Sequence, residues 1–211
     1  MKNKVAAKNE REAGMMICTG IQGVGKTYQN MQIIAQYVKD KLSTKVRGRK
    51  CLIFDTNGEY TVEQFARNNV KNFEIKRIAL NDVEQWSRSE NQECRRIDLN
   101  TYILSVTFME EIVGGLVNLR HRAVDVLISY QSLRPVEPRI WQNARWIRMH
   151  YQADNVNDIK GKVSNPTMMK IAQNIVNNKY FADDKRFFVY IHSFANKIEG
   201  DFTEEEFKKG C

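Results

Sequence analysis

Gly20-Ile21-Gln22-Gly23-Val24-Gly25-Lys26-Thr27 is the stretch from which the rest of this chain is read. It matches G-x-x-x-x-G-K-[ST] in full, with an apolar run before it (Met15-Met16-Ile17-Cys18-Thr19) and a helical pattern after it. In that pattern Met31, Ile33, Ile34, Tyr37, Val38 and Leu42 recur at helical spacing. Glycines let such a loop adopt backbone angles closed to other residues and bring its N–H groups against phosphate oxygens. A lysine at position 26 supplies a point charge near the β and γ phosphates, and Thr27 offers a hydroxyl to Mg²⁺. The helix that starts there adds the partial positive charge of its N-terminus. Gly20, Gln22, Gly23, Val24, Gly25, Lys26, Thr27 and Tyr28 are therefore the expected contacts of a nucleoside triphosphate, ATP or GTP.

Working outward, Cys51-Leu52-Ile53-Phe54-Asp55 reads as a second strand, stopped by Thr56-Asn57-Gly58. Phe73 to Ile78 alternates apolar and charged, as a half-exposed strand does. Val124 to Tyr130, Trp146 to His150 and Phe187 to Ile191 complete the set of β runs, and Pro166 to Asn177 reads as a helix with proline in its first turn. Strands alternating with helices predict an α/β fold of three layers around a mostly parallel central sheet. No repeat or linker divides the chain. Residues 1–14 read as a flexible basic arm, 15–195 as one domain, and 196–211 as a charged tail ending in a short helix.

The chain has 211 residues, 42% of them hydrophobic, which is enough for one core without disulfide staples. Cys18, Cys51, Cys94 and Cys211 form no CxxC pair and no metal-ligand spacing with the three histidines. Cys18 and Cys51 fall inside core strands, where a thiol acts as a small hydrophobe. No apolar run approaches the ~18 residues that cross a bilayer. Met1-Lys2-Asn3-Lys4 is followed by no signal-peptide core, so a cytoplasmic protein is expected. A net charge of +8 favours a polyanionic partner such as nucleic acid, although a solvated basic surface fits it equally well. Lys45 to Lys50, Arg134, Arg139, Arg145 and Arg148 are the candidates for phosphate-backbone contacts. Trp141 and Trp146 read as packing residues before base-stacking ones.

Three segments taken together carry a resemblance: Gly20 to Thr27, Phe54-Asp55-Thr56-Asn57-Gly58-Glu59-Tyr60, and Val124 to Gln131. With them the chain resembles the FtsK/HerA superfamily of P-loop ATPases (RecA/FtsK-like P-loop NTPases), and within it the Zot-like and viral genome-packaging members. The resemblance covers about residues 15–150. It implies that Gln131 senses the γ-phosphate, that Glu59 polarises the attacking water, and that Arg120 in Leu119-Arg120-His121-Arg122 reaches into a neighbouring subunit. It also implies an acid on Mg²⁺ at the end of an apolar strand. Asp98 stands at about the family's distance from Gln131, but Arg95-Arg96 suit a core strand poorly and no Glu adjoins it. The alternative is the run Tyr102 to Phe108, followed by Glu110-Glu111. Asp55 is a further carboxylate for the metal.

The activity implied is hydrolysis of ATP, with Mg²⁺, to move DNA during genome packaging in a virus or mobile element. The expected partners are double-stranded DNA read without sequence preference, further copies of the chain in a ring, and a capsid or assembly complex. Two other readings stay open: a Zot-like virion assembly or export ATPase, and a nucleotide-binding switch with little hydrolysis.

Overall fold

The computed structural model describes residues 14–38, 50–54, 60–61, 63, 73–76, 102–107 and 125–211. Eight strands form one sheet: β1 Met15–Thr19, β2 Lys50–Phe54, β3 Phe73–Lys76, β4 Tyr102–Thr107, β5 Asp125–Tyr130, β6 Ala144–His150, β7 Phe188–His192 and β8 Lys197–Gly200. Their order is β3-β2-β4-β5-β1-β6-β7-β8. Every pairing from β3 through β6 is parallel, and β7 and β8 are added antiparallel at one edge. The described helices are α1 Lys26–Val38, α2 Pro138–Asn143, α3 Pro166–Phe181 and α4 Glu204–Gly210, with a 3₁₀ turn at Val156–Ile159.

Alternation along the strands sorts the side chains onto two faces. Ile17 pairs beside Ile128 and Ile147, and Ile147 beside Ile191. Together with Met149 and Val189 they pack on Met168, Met169, Ala172, Ile175 and Val176 of α3. Burying each of the larger aliphatic side chains there contributes roughly 2–3 kcal/mol. One residue on, Cys18 lies beside Ser129 and Arg148, on the face that meets Asn30 of α1. Helices therefore cover both sides of the sheet, giving the expected three layers, one side mainly apolar and the other polar beneath the start of α1.

Helix α3 begins where the sequence signals it. Asn165 caps the amide of Met168 at 3.0 Å, Pro166 takes the first turn, and the helix continues to Phe181. Residues 196–211, read as a charged tail, instead complete the sheet edge. β8 pairs with β7, and α4 lies on α3 through an Asn174 bond to the Gly210 carbonyl (2.8 Å) and a Lys179–Glu206 ion pair (2.7 Å). Only Ile198, Phe202 and Phe207 in that stretch pack on the core, too few to stand out among charged neighbours. Cys18 is buried, and so is Trp141, both in packing roles.

Candidate functional site

The phosphate loop joins β1 to α1 at the carboxyl edge of the parallel strands, where ligands of such sheets bind. Two backbone bonds pin its start. Gly20 donates to the Tyr130 carbonyl at 3.2 Å, and Ile21 donates to the Tyr151 carbonyl at 3.0 Å. The loop is thus strung between the ends of β5 and β6. Glycine is required at position 20 by contact: a β-carbon there would stand 2.7 Å from the His150 Cβ and 3.0 Å from a Val24 methyl. At Gly23 and Gly25 it is required by conformation, since both have φ of 86°. Val24 anchors the loop in the interior, while Gln22, Gly23 and Tyr28 face solvent.

The ammonium of Lys26 donates to the carbonyls of Gly20 and Ile21, each at 2.6 Å. It therefore lies across the mouth of the loop, with phosphate oxygens as its competing acceptors. Thr27 follows in the first turn of α1. The side chain of Arg186, from the turn between α3 and β7, passes about 3.9 Å from where a Gly25 β-carbon would be. This approach of the Arg186 stem to the loop has no signal in the sequence, because the turn reaches the loop through tertiary packing alone.

Gln131 follows β5 directly and is exposed, one residue beyond the carbonyl that holds Gly20. The loop after it is clamped by Asp154. Ser132 Oγ, the Leu133 amide (2.8 Å) and the Arg134 amide (3.2 Å) all donate to Asp154 Oδ2. Partial burial works to raise the Asp154 carboxyl, but these donors and the Arg134 charge hold it below its ordinary value.

Beneath the loop lies a polar layer. Arg148, read from sequence as a surface contact for a nucleic-acid backbone, is fully buried. That reading is corrected: alternation along β6 turns Arg148 inward, toward α1, with Cys18 Sγ at 2.9 Å and the Lys26 carbonyl at 3.1 Å. His150 is also buried, beside the Val24 backbone. Burial, then the charges of Arg148 and Lys26, push its pKa down to about 2.

The calls on Asp55, Glu59, Asp98, Arg120 and the Glu110-Glu111 pair lie outside the described residues, as does the side chain of Cys51. Among the described residues no cluster of three or more His, Cys, Asp or Glu side chains is arranged to hold a metal ion, and no helix is long and apolar enough to cross a membrane. The structure brings together Gly20 to Thr27 and Gln131.

No family model and no curated protein sequence matches the chain. Among solved structures it is similar to the genome packaging NTPase B204 of Sulfolobus turreted icosahedral virus 2. The complex with AMPPCP aligns with a TM-score of 0.58 at 12% identity, over 90% of this chain and 97% of that one. The complex with ATP-gammaS aligns at 0.59 and 14% identity, over 90% and 96%. The N-terminal domain of zonular occludens toxin from Neisseria meningitidis is more distant, at a TM-score of 0.39 and 16% identity over 65% and 76%. At these identities the likeness to B204 is one of fold. This chain has a P-loop NTPase fold, with its phosphate-binding loop formed.

Proposed function

We propose that this chain is an ATPase that binds nucleotide at Gly20–Thr27 and spends it on DNA during genome packaging in a virus or mobile element. The observation that carries the reading is the loop itself, pinned by Tyr130 and Tyr151 with Lys26 across its mouth. The fold it shares with a protein described as a genome packaging NTPase supports the biological setting. In the reaction, water adds to the γ-phosphorus as the bond to the β–γ bridging oxygen breaks, leaving ADP and phosphate. Backbone amides of the loop and Lys26 bind the phosphates, and Arg186 adds charge beside them. Gln131 senses the γ-phosphate, Glu59 polarises water, and Arg120 acts on the neighbouring subunit's nucleotide, each by the family resemblance.

Mg²⁺ suits the donor set, because it keeps several waters and needs one or two protein oxygens besides the phosphates. Thr27 and one carboxylate would hold it, where it would neutralise charge on the phosphates. The sheet favours Glu110-Glu111 over Asp98 for that carboxylate. β4 fills the place between β2 and β5, is parallel to β1, and runs from Tyr102 to Thr107. Its carboxyl end is therefore the loop's edge, and Glu110-Glu111 follow that end. Asp98 precedes the other end by four residues, a reach of at most ~14 Å, short of the ~16 Å length of the strand.

The test is ATP turnover by purified protein, with and without double-stranded DNA, and in Lys26→Ala. Turnover should rise with DNA and vanish in the variant. Turnover indifferent to both would eliminate the reading. Tight ATP binding without phosphate release, even with DNA present, would favour the nucleotide-binding switch instead.

A further inference from the structure

We propose that Asn30 is a positioning residue for hydrolysis, which ties the phosphate-loop helix to the strand carrying Gln131 and to the residue following Glu59. This rests on the reading of Gly20–Thr27 as the nucleotide site. Asn30 lies in α1 about one turn beyond Thr27, and it is buried. Its Oδ1 accepts from Arg148, and its Nδ2 donates to Ser129 Oγ at 2.7 Å and to the Tyr60 hydroxyl at 3.1 Å. The orientation is forced, because a guanidinium has only donors and so takes the amide oxygen. The NH₂ must then face the two hydroxyls. One side chain thus joins three elements: α1, which begins with Lys26 and Thr27; β5, two residues before Gln131; and the segment just after Glu59.

Arg148 makes this more than core filling. Its guanidinium is fully buried, with the Phe188 ring centroid 5.8 Å from its central carbon and Tyr190 beside it, and it forms no ion pair with a carboxylate among the described residues. A charge buried without a carboxylate partner is costly relative to an apolar side chain of the same size. What Arg148 supplies in return is a fixed donor to Asn30 and to the Lys26 carbonyl, bracing the first turn of α1 from below. Misplacing a reacting group by ~1 Å can cost ~100-fold in rate, so a braced hub under the phosphate loop has a kinetic consequence. The backbone bond from Gly20 to Tyr130 also joins the loop to β5, but no side-chain substitution removes it.

Two readouts test this. In steady-state ATP hydrolysis, Tyr60→Phe and Ser129→Ala each remove one hydroxyl without emptying the core. They should lower kcat about tenfold, with KM changed less than about twofold. Asn30→Asp keeps the acceptor for Arg148 and lets both hydroxyls donate, so it should stay near wild type, whereas Asn30→Ala should not. In hydrogen exchange with Mg²⁺ and AMPPCP, wild type should gain protection at residues 20–28 and at 129–134. Asn30→Ala and the Tyr60→Phe/Ser129→Ala pair should keep the first and lose the second. Protection at 129–134 that is indifferent to these variants, with wild-type kcat, overturns the proposal alone. Absence of protection at 20–28 in wild type overturns the nucleotide site and this proposal with it.

Discussion

His150 is held neutral where it sits, directly under Gly20, and this gives the fold a pH dependence. Its pKa falls from 6.5 to about 2 through burial, then through the charges of Arg148 and Lys26. The unfolded chain carries an ordinary imidazole, so between those two values the unfolded state binds more protons than the folded one. The stabilisation is therefore complete above about pH 6.5 and declines as pH falls below it, by up to ~1.4 kcal/mol per unit from this group. Urea unfolding midpoints measured between pH 7.5 and 5 should drop steeply for the wild type. His150→Gln, which does not titrate, should flatten the dependence, and an unchanged slope would refute the assignment. The same crowding explains why position 20 is glycine, since His150 is rooted in β6 and leaves no room for a methyl group.

The start of the loop between β5 and α2 is held by Asp154, which lies beyond β6 and takes bonds from Ser132, Leu133 and Arg134, while Asp158 and Lys162 hold Arg134 farther along. Asp154→Ala leaves two amides and a hydroxyl without that partner. It should lower stability by ~1–3 kcal/mol and reduce kcat, because Gln131 stands at the start of the released segment. Urea unfolding and ATP turnover on one preparation check both, and wild-type values in either would count against the clamp. Asp154 also marks where sequence reading stops. Runs such as Val124 to Tyr130 and the Asn165-Pro166 helix start announce themselves, because period and capping are local. The glycine loop declares its chemistry in eight residues. The Asp154 clamp, Arg186 beside Gly25 and the Arg148–Asn30 contact join residues 20 to 161 positions apart, and only the assembled sheet brings them together. Arg148 looked like a surface cation because burying an arginine without a carboxylate is costly, a prior that the polar layer under α1 overrides. The short helix closing the tail is α4, but β8 went unread for the opposite reason: Ile198 and Phe202 among charged and polar neighbours make a weak pattern.

The role proposed for Arg120 in a neighbour's site would tie catalysis to assembly, and that link can be tested without knowing the ring size. A subunit with Lys26→Ala binds no nucleotide but keeps its own Arg120. A subunit with Arg120→Ala binds nucleotide but offers nothing to its neighbour. Each alone should be nearly inactive, since an arginine supplied in trans contributes ~10³ to 10⁵ in rate in related phosphoryl transfer. In a heterologous ring built from an equal mixture, about a quarter of interfaces set an intact nucleotide site against an intact arginine. ATP turnover should therefore return toward roughly that fraction of wild type when the two inactive proteins are mixed and allowed to exchange subunits. Recovery rules out an arginine acting within its own subunit, because neither variant holds both groups. No recovery, with both variants still co-assembling in sedimentation, would overturn the role proposed for Arg120.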